Sequence, residues 1–188
     1  MALEAACHRL HIELRALHDA LAALRITSVE DKPLNDDAVL VDLFGDAADD
    51  LLGWVEGSLA AAAEAQQAAT YPVNVQRAWR ALSVCQEHFS QVQQRYTADL
   101  ATYERIDELM HFGRQRGGEW DSWARSVRLA LEDCRQPLFA IGQAISACWQ
   151  EVGERLGMWA VTVQTTAIGQ QSALPNAHAL QQTPAQTL

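Results

Sequence analysis

A chain of 188 residues that is 49% hydrophobic, with only 10 glycines and 5 prolines, can bury about 70% of its unfolded surface around one core without a disulfide or metal staple. That composition excludes wholesale disorder and favours long uninterrupted helices. A formal net charge of −10 repels phosphate backbones, which argues against general nucleic-acid binding.

The charge is unevenly spread. Lys32 is the only lysine, and from Pro33 to Gln76 the acids Asp36, Asp37, Asp42, Asp46, Asp49, Asp50, Glu56 and Glu64 meet no Lys or Arg. A basic protein partner suits such a stretch better than a nucleic acid. The first fifteen residues mix acids with bases and hold no apolar core of signal-peptide length. No run of about 18 apolar residues is present to span a membrane. The cysteines Cys7, Cys85, Cys134 and Cys148 lack metal-type spacing and fall on apolar seams, so they read as reduced core residues of a cytoplasmic protein.

In chain order, Leu3, Cys7, Leu10, Leu14, Leu17, Leu21 and Leu24 alternate in steps of four and three. That is the a/d seam of a helix packed lengthwise on another, over about 2–25. A proline and polar turn formers between Arg25 and Asp36 predict a loop. A second helix over 36–69 then places Leu40, Phe44, Ala47, Ala48, Leu51, Leu52, Val55 and Leu59 on one face and its acids on the other. Gly53 and Gly57 lie within that acidic face. Each costs about 1 kcal/mol of helix propensity there, so either the helix is locally weak or something approaches its backbone closely.

Pro72, suited to the first position of a helix, predicts a third helix over 72–112. Its seam runs through Val75, Ala78, Leu82, Cys85, Phe89, Val92, Tyr96, Tyr103, Ile106 and Met110, interrupted by Asp99. The fourth, over 119–168, has Trp120, Trp123, Val127, Leu131, Cys134, Leu138, Ile141, Ile145, Cys148, Val152, Leu156 and Trp159 on its inner face. Pro137 predicts a kink near Cys134–Gln136. Residues 170–188 are rich in Gln, Ala, Thr and Pro and predict a disordered tail. The whole predicts an all-α antiparallel four-helix bundle with long coiled-coil-like helices, one domain over 1–169 and a flexible tail.

Several residue sets carry possible chemistry. In RIDELMH, Arg105 and His111 resemble the Arg-x4-6-His motif of HEPN ribonucleases, all-α domains in which such a pair acts on the RNA phosphodiester, usually across a dimer. The resemblance covers two residues, and Ile106, a seam residue, stands where the family commonly has a polar one. It implies a ribonuclease with Arg105 and His111 as catalytic residues, helped by Arg114 and Arg116. The plainer reading is an exposed arginine and a helix-ending histidine favoured by the dipole.

Glu108 and His111 form one Glu-x-x-His pair, whereas a di-iron bundle needs two pairs and two further glutamates. His8, His11 and His18 share the first helix but identify no third ligand of a zinc site. Asp46, Asp49 and Asp50, with Glu104, Asp107 and Glu108, are carboxylate clusters able to hold magnesium through water, yet the second helix offers no base for a phosphate substrate. No nucleophile elbow or glycine-rich phosphate loop is found.

These readings predict no metal, no cofactor and no small-molecule substrate. The preferred expectation is a non-enzymatic module that binds another protein or itself, through Gly53 and Gly57, Trp120 and Trp123 in GGEWDSW, and Trp159 and Val163 in the charge-free segment 156–168. A HEPN-like ribonuclease is the rival expectation.

Overall fold

The computed structural model describes the backbone of residues 2–30, 38–112 and 118–157, and the side-chain surroundings of residues 2–30, 46–98, 118 and 121–157. It is an all-α antiparallel bundle, and the described residues contain no strand. Its elements are α1 (Ala2–Arg25) with a π-helical turn (Ile26–Glu30), α2 (Ala38–Ala69), α3 (Val75–Phe112), α4 (Gly118–Asp133) and α5 (Arg135–Arg155).

Helix α1 buries Leu3, Cys7, Leu10, Leu14, Leu17, Leu21 and Leu24, the residues of its seam. It does not give way to a loop at Arg25 as its polar sequence suggests. Five more residues continue as a π turn, in which the Ser28 hydroxyl donates to the Arg25 carbonyl at 3.2 Å. The Thr27 carbonyl accepts the indole N–H of Trp123 at 2.9 Å. A wide turn leaves carbonyls without helical partners, and these two donors satisfy part of that need.

Helix α2 lies between α1 and α3. Among the described residues its core face runs through Ala47, Ala48, Leu51 and Val55 and continues as Ala61, Ala62, Ala65, Ala68 and Ala69. Leu52 and Leu59 pack at its edge. The run of alanines thins the helix and lets its neighbours approach. Side chains of Leu40 and Phe44 lie outside the described residues.

Helix α3 begins at Val75, three residues later than Pro72 suggests. The reason is Asn74, whose Oδ1 accepts the backbone N–H of Arg77 at 3.0 Å. This is the N-cap geometry that short polar side chains favour. The Asn74 N–H donates to the Ala68 carbonyl at 2.8 Å, closing the turn around the cis Tyr71–Pro72 peptide. Ala78, Leu82, Cys85, Phe89, Val92 and Tyr96 are buried as the seam requires.

The expected fourth helix is two helices, broken at Cys134 where Pro137 predicts a kink. Pro137 occupies the first turn of α5, where a backbone N–H has no intrahelical partner and its loss is tolerated. Opposite the break, the Tyr96 hydroxyl donates to the Leu131 carbonyl at 2.6 Å. Burial pushes the Tyr96 phenol up to about 12, so it keeps its proton and remains a donor. Helix α5 ends at Arg155 rather than near 168. Gly157 takes a left-handed φ of 65° that closes a helix and carries little strain in glycine. Residues from 158 onward, including the expected tail, lie outside the described residues.

Side-chain pairs fix the directions. Glu64 with Arg77 and Asp50 with Arg95 set α2 antiparallel to α3; Gln66 with His8 and Asp49 with Arg25 set it antiparallel to α1. Trp149 with Gln86 and Tyr96 with Leu131 run α4 and α5 against α3. Helices α1 and α3 therefore stand on one diagonal, with α2 and the α4–α5 pair on the other.

Gly57 has a packing reason that its sequence context hides. A Cβ there would collide with the imidazole of His88 on α3, whereas a Cβ on Gly53 meets nothing within 4 Å. The close approach anticipated at the two glycines comes, at Gly57, from inside the chain. His88 is itself held edge-on by Trp54, with ring centroids 5.4 Å apart.

Gly53→Ala is expected to raise stability by about 0.5–1 kcal/mol through helix propensity. Gly57→Ala should forfeit that gain, and combining it with His88→Ala should recover it; urea denaturation of the four chains measures this coupling. Trp123→Phe leaves the Thr27 carbonyl without its donor and should cost about 1–3 kcal/mol, against about 0.5 kcal/mol or less for Trp79→Phe at the surface.

Candidate interaction surface

The described acids of α2 are exposed, and four of them stand beside basic side chains of the flanking helices. Asp49 meets Arg25 of α1, and Asp50 meets Arg95 of α3 at 3.6 Å. Glu64 meets Arg77 of α3 at 3.1 Å, and Glu56 approaches His18 of α1 at 3.8 Å. The second helix lacks bases in its own sequence because its counterions come from both flanking helices. Much of the positive partner anticipated from the acidic run is therefore intramolecular.

The candidate metal ligands are similarly dispersed. His8 Nδ1 lies 3.2 Å from Gln66 Nε2, and His18 Nδ1 lies 3.5 Å from Asp19. The buried Nδ1 of His11 has no hydrogen-bond partner. No group of three His, Cys, Asp or Glu residues among the described residues is placed to hold a metal ion. Arg105, His111, Glu104, Asp107 and Glu108 lie on α3, but their side chains lie outside the described residues, as does that of Trp120. Trp159, Val163, Arg114 and Arg116 lie outside them altogether.

Trp123, considered as a partner contact, is 5% exposed and bonded to Thr27; it closes the core. All four cysteines are free and buried. The Cys148 thiol hydrogen-bonds the Cys7 sulfur, which lowers the Cys7 pKa and raises that of Cys148. Burial pushes the Cys85 and Cys134 thiols up to about 12. A thiol in that range is protonated and inert near neutrality.

A further surface, which the apolar seams do not include, is the outer face of α5. Leu138, Ile141, Ala144, Ile145, Cys148 and Val152 point inward. The opposite side presents Gln136, Phe139, Gln143, Ala147 and Gln150, all exposed. Between Arg135 and Glu151 the helix carries no Asp, Glu, Lys or Arg. Phe139 is 70% exposed, and nothing on its own helix shields it. The signal was present in the sequence as this charge-free run and as a second series, 136, 140, 143, 147 and 150, spaced four and three on the outward side.

The neighbouring edge, where α5 meets α3, is also aromatic. Trp79 is 43% exposed and stands edge-on to Trp149, centroids 6.2 Å apart. The Trp149 indole donates to Gln86 Oε1 at 2.7 Å. Having no ionisable group, the outer face of α5 offers no acid, base or anion-binding chemistry. It offers apolar contact, amide hydrogen bonds and close backbone approach, with open space in front of Gly142.

No helix among the described residues is long and apolar enough to cross a membrane. No family model, curated protein or solved structure matches the chain.

Proposed function

We propose that this chain is a non-enzymatic helical-bundle interaction module, an adaptor or assembly subunit, that engages protein through the outer face of α5. The observation that carries this reading is Phe139, 70% exposed on a helix face without fixed charge. Surfaces of water-facing helices ordinarily mix charges of both signs, and a contiguous uncharged, partly apolar face marks an interaction site. Glutamines beside an aromatic anchor give such a face hydrogen-bonding capacity at its rim. Four buried, unpaired thiols suit a reducing compartment, and the cytoplasm is the proposed location.

Phe139→Glu places a carboxylate at the proposed contact without touching the core. Full-length wild type and variant, recovered from native cells and read by mass spectrometry, should differ by loss of the bound protein from the variant. Leu129→Glu, a comparably exposed substitution on α4, should retain it, and circular dichroism should be the same for all three. Identical partner sets for wild type and Phe139→Glu would remove α5 from consideration.

A further inference from the structure

The outer face of α5 has nearly the same chemistry read from either end. Counted from Gln143, glutamines stand seven residues away on both sides, at 136 and 150, while Phe139 and Ala147 stand four away. Two such helices laid antiparallel about Gln143 bring Phe139 of one level with the hollow bounded by Gln143, Ser146, Ala147 and Gln150 of the other. A large side chain fills a hollow of that i, i+3, i+4, i+7 shape, and Ser146 and Ala147 keep its floor low. Gln136 of each copy comes level with Gln150 of the other, amide to amide, each able to donate and accept. Gln150 has a side-chain contact in its own helix, with Glu154 at 3.3 Å, which leaves further donor and acceptor capacity.

Charge favours the same occupant. A chain of net charge −10 repels a second copy wherever its acids face each other, and this stretch of α5 has no acids to oppose. We infer that the face binds a second copy of the same chain, through antiparallel α5 helices related by a two-fold axis passing beside Gln143. The inference rests on the proposed role of α5 as the interaction surface and adds the identity and direction of its partner. A self-complementary face is what a two-fold contact requires. One helix face about 21 Å long buries roughly 1,000 Å² in total, at the low end of specific interfaces, so the dimer should be reversible.

Light scattering on the purified full chain, from micromolar to sub-millimolar concentration, should show monomers passing into dimers. Phe139→Glu and Ala147→Glu should each weaken dimerisation by about 30-fold or more with unchanged helix content. Under mild copper–phenanthroline oxidation Gln143→Cys, beside the axis, should form a covalent dimer and Gln136→Cys should not, the native thiols being buried. A monomer at every concentration overturns the inference, as does a dimer indifferent to both glutamate variants or one crosslinked through 136 but not 143. If the chain is monomeric yet Phe139→Glu still loses a foreign protein, only the second copy falls as occupant. If nothing is lost, the α5 reading falls with it.

Discussion

The leucine seam of α1 is the contact against which the rest of the bundle is arranged. Its seven members are each at most 1% exposed, and the helix that carries them meets α2, α4 and α5. Burying one such leucine contributes about 1.5–3 kcal/mol before chain entropy is set against it. A truncation there would also leave a cavity between several helices at once. Helix α3 stands across the diagonal and is located indirectly, through α2 on one side and α4–α5 on the other. Polar contacts fasten both α1 and α3: Tyr96 on Leu131 and Trp149 on Gln86 tie α3 to α4 and α5, as Gln66 on His8 and Asp49 on Arg25 tie α2 to α1.

Exposed ion pairs such as Glu64–Arg77 and Asp50–Arg95 contribute about 0–1 kcal/mol each. Their value is positional, because apolar seams alone tolerate a helix sliding by a turn or reversing its neighbours. An acidic α2 between two base-bearing helices disfavours those alternatives, a form of specification against wrong packings. Net charge read along the sequence overstates how much negative field this helix shows to solvent, since its counterions lie far away in the chain.

Much of the architecture was legible because burial and periodicity coincide. The α1 seam and the α3 seam from Ala78 to Tyr96 are buried, and Pro137 marks the α4–α5 break. The misses are places where local rules compete. Asn74 outweighs Pro72 as a helix start, since a side-chain acceptor settles the first turn. The π turn at Ile26–Glu30 depends on Trp123, nearly a hundred residues away, which no local pattern encodes. At Gly57 the sequence left local weakness and close approach open, because the residue that approaches, His88, lies on another helix. The α5 outer face is fainter in the sequence than its apolar stripe, because a face defined by missing charge has no periodic signal as strong as buried leucines and isoleucines. Trp123 lay on its seam and belonged to the core, so its exposure, not its residue type, decided its role.

Three of the buried cysteines, Cys7, Cys85 and Cys148, come from α1, α3 and α5 and lie close enough together that ionising one is opposed by another. They sit where helices from both diagonals converge, and none reaches solvent while that layer is closed. A thiol-alkylating reagent added to the native protein therefore samples only the molecules whose helices have parted. The chain carries its own probe for separation of the bundle, one that needs no engineered residue and, where alkylation outpaces reclosing, runs at the rate at which its core is laid open.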